Sequence, residues 1–158
     1  MTPALIPWLP LLAASLHIFE EFVWPGGFAS WDRAYRPEFA STITPRFHIV
    51  INGLYLILCY DAGAFFEKPV GPALWLAVVA LQASNGVWHA AGALRTDRYS
   101  PGMITGMGLY LPLAVWGYPY FVLGGRASLA TALVAFLIGA SYLLFVGKAI
   151  HRWRRKTA

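Results

Sequence analysis

The run His17-Ile18-Phe19-Glu20-Glu21 places one imidazole and two carboxylates inside the first apolar stretch of the chain. On a helix, residues three and four apart share a flank, so His17, Glu20 and Glu21 can project together. At membrane depth each ionisable group costs roughly 2.5–3.5 kcal/mol on insertion scales. The rest of the chain must therefore fold around this cluster and supply what offsets that cost. A metal ion, a proton-sharing network or a polar cavity would each do so.

Membrane depth is the expected setting because 58% of the 158 residues are hydrophobic and only 12% are charged. Soluble domains carry about 25% charged residues. Five stretches come near the ~20 residues that a bilayer core requires: about 4–24, 47–66, 72–94, 103–123 and 129–150. The expected fold is an all-α integral membrane protein, a five-transmembrane-helix bundle forming a single domain over residues 1–158. Between helices 1 and 2, the polar and aromatic stretch 25–45 suggests a short interfacial segment covering the site. Pro112 and Pro119 predict kinks in the fourth span. Trp24, Trp31 and Trp75 read as interfacial anchors. Cys59 is the only cysteine, which excludes an intrachain disulfide and a thiolate cage. No basic region precedes the first apolar stretch, so a cleaved signal peptide is not expected.

The net charge of +5 lies largely in Arg152, Arg154, Arg155 and Lys156, a basic tail at 151–158. In an apolar chain this is a topology or headgroup signal and not a nucleic-acid site. With that tail in the cytoplasm and the N-terminus outside, ten basic residues fall inside: Arg33, Arg36, Arg46, Arg95, Arg98, Lys148 and Arg152, Arg154, Arg155, Lys156. Only Lys68 and Arg126 fall outside, which favours five spans over four or six.

This topology brings polar edges from three helices to one depth. His17, Glu20 and Glu21 lie at the cytoplasmic end of the first span, His48 and Asn52 at that end of the second, and Asn85 and His89 at that end of the third. Three histidines and two glutamates at matched depth point to one shared site. His17, Glu21, His48 and His89 are the expected ligands of a divalent metal, with zinc favoured and iron the alternative. Glu20, or Glu21 if the ligation is reversed, is the expected general base. Asn52 and Asn85 would orient the imidazoles, Trp88 would form a cavity wall, and Tyr99 would meet substrate or only begin a turn.

With the later elements in order, His17-x-x-Glu20-Glu21, His48 with Asn52, Asn85-x-x-x-His89 and Tyr99-Ser100-Pro101-Gly102 resemble the HXXEE-motif family. These are small bacterial multi-span membrane proteins of unassigned function. The resemblance implies a place in the bacterial inner (cytoplasmic) membrane and a membrane enzyme, without supplying a reaction.

Three functions follow as expectations. The first is a metal-dependent enzyme acting on a membrane lipid or other amphiphile, with hydrolysis favoured because a di-iron site wants more carboxylates. The second is a metal-free isomerase or cyclase of an isoprenoid- or sterol-like lipid, in which one glutamate stays protonated as the acid. Trp88, Tyr110 and Trp116 would then face a carbocation. His17-x-x-x-Glu21 with Asn85-x-x-Trp88 is similar, in a different helix order, to the polar residues of the emopamil-binding sterol isomerases. The third is a lipid-binding or carrier protein. None involves a nucleotide cofactor or a nucleic-acid partner, and the oligomeric state is left open.

Overall fold

The computed structural model describes residues 4–41 and 44–141. The end of the fifth expected span, 142–150, and the basic tail, 151–158, lie outside the described residues. A 3₁₀ turn, Ile6–Trp8, leads into α1, Leu9–Phe22. Helix α2 is Phe28–Tyr35, followed by a second 3₁₀ turn, Pro37–Phe39. Helix α3 is Pro45–Ala64 and α4 is Gly71–Thr96. Helix α5 is three contiguous pieces: Met103–Thr105, a π-helical turn Gly106–Tyr110, and Leu111–Leu123. Helix α6 is Leu129–Ser141. No strand occurs among the described residues.

Local chemistry explains these boundaries. Pro10, Pro45 and Pro72 sit in the first turns of α1, α3 and α4, where a missing N–H is least costly. Thr44 caps α3 by accepting from the Phe47 N–H at 3.2 Å. Helix α4 stops at Asp97, which adopts a left-handed φ of 51°.

Helices α1, α3, α4, α5 and α6 fall on the five apolar stretches. Among the described residues, Pro45–Ala64 is the one helix both long and apolar enough to cross a membrane, with a mean hydropathy of 1.4 over its best window. Helix α4 is longer, at 26 residues, but carries Gln82, Asn85 and His89. The fold is therefore all-helical with one clear membrane-span candidate.

Large apolar side chains lie on the outside and a polar cluster lies inside. Leu12, Phe19, Ile49, Leu54, Leu133 and Leu137 are exposed, while His17, Glu20, Glu21, Asp32, Gln82 and His89 are buried. The apolar core joins α1, α3, α4, α5 and α6 through Ala14, Cys59, Phe66, Trp75, Val79, Phe121 and Ala132. Trp75 belongs to this core and is no interfacial anchor: it is fully buried, and its Nε1 donates to the Ile6 carbonyl at 3.3 Å.

Pro112 leaves its mark as a change of helix type. It has no N–H to offer the Gly108 carbonyl, and its ring crowds that oxygen. The backbone just before it widens into a π turn, with the Leu111 N–H bonded to Gly106 O. At the start of this turn α5 meets α4 backbone to backbone: a Cβ on Gly86 would lie 2.7 Å from the Gly106 carbonyl oxygen. Two glycines facing each other permit that approach and set the depth of α5 against α4.

Candidate metal centre

His17 and Glu21 lie one turn apart on α1, and His89 reaches them from α4. One ligand atom from each of these three buried residues lies within 4.8 Å of the other two. Glu21 Oε1 is 3.2 Å from His89 Nε2 and 3.5 Å from His17 Nε2. Both Nε2 atoms are buried and neither forms a hydrogen bond. The opposite ring nitrogens are held: His17 Nδ1 lies 2.8 Å from Thr105 Oγ1, and His89 Nδ1 lies 2.9 Å from Ser100 Oγ. Both rings are thus oriented from behind, with their free nitrogens aimed at one carboxylate oxygen.

Glu20 takes no part in this convergence. Its carboxylate turns to the start of α5 and accepts the backbone N–H groups of Gly102 at 2.8 Å, Ile104 at 3.0 Å and Thr105 at 2.7 Å. The Thr105 hydroxyl donates to it at 2.5 Å, and the Tyr99 hydroxyl donates as well. Unpaired N–H groups open every helix, and here a carboxylate from α1 satisfies those of α5 and meets the positive end of its dipole. Burial and the adjoining Glu20 carboxylate raise the Tyr99 hydroxyl above its ordinary range, so Tyr99 keeps its proton and stays a donor.

Gly102 makes this turn possible. Its φ is +99°, and a Cβ there would stand 2.8 Å from Cε1 of both His17 and His89. Only a residue without a side chain lets the backbone pass beneath both rings.

His48 stands apart from the trio. Its Nε2 is buried without a partner, and its ring packs against Phe22, Phe28 and Phe47 with centroids 5.3, 5.7 and 5.7 Å away. Phe28, the first residue of α2, also touches the His89 ring at 5.3 Å and so lies against both imidazoles. Asn52 is half-buried on α3, one turn beyond His48, and Asn85 carries a buried Oδ1 without a partner one turn before His89. Trp88 packs edge-on to His89 at 4.9 Å and beneath the Arg36 guanidinium, also at 4.9 Å. Arg36 in turn grips the buried Asp32 through two hydrogen bonds, of 2.7 and 2.6 Å. Helix α2 thus covers the site with Phe28 and Trp31, the latter stacked 6.3 Å from His89.

Residues 8–117 match the family described as proteins of unknown function with an HXXEE motif. The chain belongs to that family. The matched range contains every residue of the site described above, from His17 to Thr105. Neither a curated protein nor a solved structure matches the chain.

Sequence reasoning missed Thr105, which holds His17 Nδ1; it had Ser100 only as part of the Tyr99–Gly102 turn, without its contact to His89 Nδ1, and set Tyr110 facing a carbocation, where its ring lies 4.5 Å from that of His17. A hydroxyl residue beside a glycine in a turn is too common to single out. The available signal was positional: Tyr99 to Gly102 form the turn after the His89 helix, and Met103 to Thr105 begin the next one.

Proposed function

We propose that this family member is a membrane-embedded, metal-dependent enzyme acting on a lipid or other amphiphilic substrate, with hydrolysis the favoured chemistry. One observation carries the reading: one ligand atom from each of three buried residues lies within 4.8 Å of the other two. Two donors bound tetrahedrally at ~2.1 Å lie about 3.4 Å apart. The two Glu21 distances, 3.2 and 3.5 Å, bracket that value. Two histidines and one glutamate also suit a catalytic zinc, which keeps a position open; iron is the alternative.

When bound, such an ion supplies Lewis acidity and brings a water near neutrality in pKa. The protein's own groups do the rest. His17 and His89 would hold such an ion through Nε2 and Glu21 through Oε1, which would leave Glu21 Oε2 to accept a proton. Glu20 is occupied by donors on both oxygens and acts through what it holds. His48, Asn52, Asn85 and Trp88 are left to meet the substrate's polar head.

The membrane setting is supported by the exposed apolar faces of α1, α3 and α6 around a buried polar site. It is supported too by the span-length helix α3. The full reading is five spans in a bacterial inner membrane, with the N-terminus outside and the site near the cytoplasmic face.

The test is elemental analysis of detergent-purified protein prepared without a metal-affinity tag, beside His89→Ala and Glu21→Ala. Stoichiometric zinc or iron that both variants lose would support the reading. Wild-type protein with only trace metal after growth in metal-replete medium would end it. One distance favours a second reading: Glu21 Oε1 and His89 Nε2, at 3.2 Å, are close enough to share a proton. That suits metal-free isomerisation or cyclisation of an isoprenoid- or sterol-like lipid, and activity in metal-free protein would select it.

A further inference from the structure

Thr105 has one proton to give, and Glu20 takes it. The Thr105 Oγ1 lies 2.5 Å from Glu20 Oε2 and 2.8 Å from His17 Nδ1. Glu20 is an acceptor towards its other partners, three of which are backbone N–H groups that can only donate. A hydroxyl carries one hydrogen and two lone pairs. With that hydrogen directed to Glu20, the Thr105 oxygen can only accept from His17. The ring proton of neutral His17 is therefore on Nδ1, and Nε2 carries a bare lone pair. That lone pair faces Glu21 Oε1, 3.5 Å away, with no hydrogen bond between them. Two lone pairs aimed at one point suit a cation between them.

We propose that Thr105 is the positioning residue of the site. Locked by Glu20, it fixes His17 in the Nδ1–H tautomer and so presents Nε2 as a ligand. The three named residues of the motif then divide their work: His17 and Glu21 bind, while Glu20 reaches His17 through a hydroxyl on another helix. This rests on the metal reading only for what occupies the gap; the tautomer itself is a property of the metal-free protein. Outer partners of this kind typically govern metal affinity by 10–100-fold.

The test is a two-bond ¹H–¹⁵N NMR spectrum of metal-free, ¹⁵N-histidine-labelled protein in detergent, with His17 assigned by comparison with His17→Gln. Wild type and Thr105→Ser should show His17 protonated at Nδ1. Thr105→Val keeps its backbone N–H on Glu20 but has no hydroxyl, and should move the proton to Nε2, towards Glu21. Zinc affinity should fall about 10–100-fold in Thr105→Val and recover in Thr105→Ser. An Nε2–H tautomer in wild type, or an unchanged tautomer in Thr105→Val, would overturn the proposal. If Thr105→Val does not fold, the wild-type tautomer decides alone. Wild type that shows Nδ1–H yet binds neither zinc nor ferrous iron would end the metal reading and leave the positioning role standing. Zinc binding with an Nε2–H tautomer would do the reverse.

Discussion

Thr105 and Tyr110, five residues apart on α5, meet the same imidazole: Thr105 bonds to His17 Nδ1 at 2.8 Å, and the Tyr110 ring lies 4.5 Å from the His17 ring. In an α-helix, at ~100° per residue, positions five apart diverge by about 140° and cannot share a neighbour. A π turn closes i→i+5 and brings them into line. The turn at Gly106–Tyr110 lies between them. Tyr110 is fixed at its far end by Tyr55, whose hydroxyl donates to its own at 3.0 Å.

Restoring the α-helical register should therefore disturb His17 from a distance. Pro112→Ala returns the missing N–H and removes the cause of the π turn. We expect helix content by circular dichroism to hold while zinc affinity drops roughly 10-fold or more. Unchanged affinity would mean that Thr105 reaches His17 without the turn.

The two adjacent glutamates should fail in different ways. Glu20→Gln places an amide against five donors, three of them backbone N–H groups. Leaving buried donors unpaired costs about 1–3 kcal/mol or more, so the unfolding midpoint in detergent should fall clearly. On the metal reading Glu21→Gln removes a ligand and touches only the two imidazoles, so it should lose metal with a smaller change in stability. Equal destabilisation by the two would count against this division.

A methyl group on Gly102 has nowhere to go. Its Cβ would press on Cε1 of both histidines at 2.8 Å, from a backbone at φ +99°. Gly102→Ala should cost about 1–3 kcal/mol and weaken zinc binding. Gly53→Ala, in the middle of α3 with nothing within 4 Å of its Cβ, is the opposite control. It should stabilise by roughly 0.5–1 kcal/mol. Thermal unfolding of both variants in one detergent checks the contrast.

His48 and Phe28 separate binding from access. His48→Ala should retain stoichiometric metal, since its ring lies outside the trio within 4.8 Å. Phe28→Ala removes the ring that lies against His48 and His89. It should speed metal release to a chelator while leaving equilibrium affinity within a few-fold, as stopped-flow exchange would measure. Loss of metal in His48→Ala would return His48 to the ligand set.

Much of the site could be read from spacing. The positions of His17 and Glu21 in one apolar run and of His89 in another were enough to bring them together, because an i, i+4 pair fixes one direction on a helix. The roles of Glu20 and His48 were not legible. Neighbours in a helix point about 100° apart, so one of Glu20 and Glu21 had to face something else, and the chain does not say which. His48 lies at the right depth, but Phe28 from α2 packs against its ring. No local pattern announces that contact.

By itself, then, the sequence determined the helices, their polar edges and the family to which the chain belongs. Periodicity and composition act within one segment at a time. Tertiary structure decided which glutamate faces the two imidazoles and which accepts from the start of α5, and it supplied Ser100 and Thr105 as partners of those imidazoles. Those choices depend on where the N–H groups that open α5 come to rest against α1. That depth is set by the close approach of Gly86 and Gly106 and by a π turn before Pro112. Each is a relation between helices, fixed only once they pack.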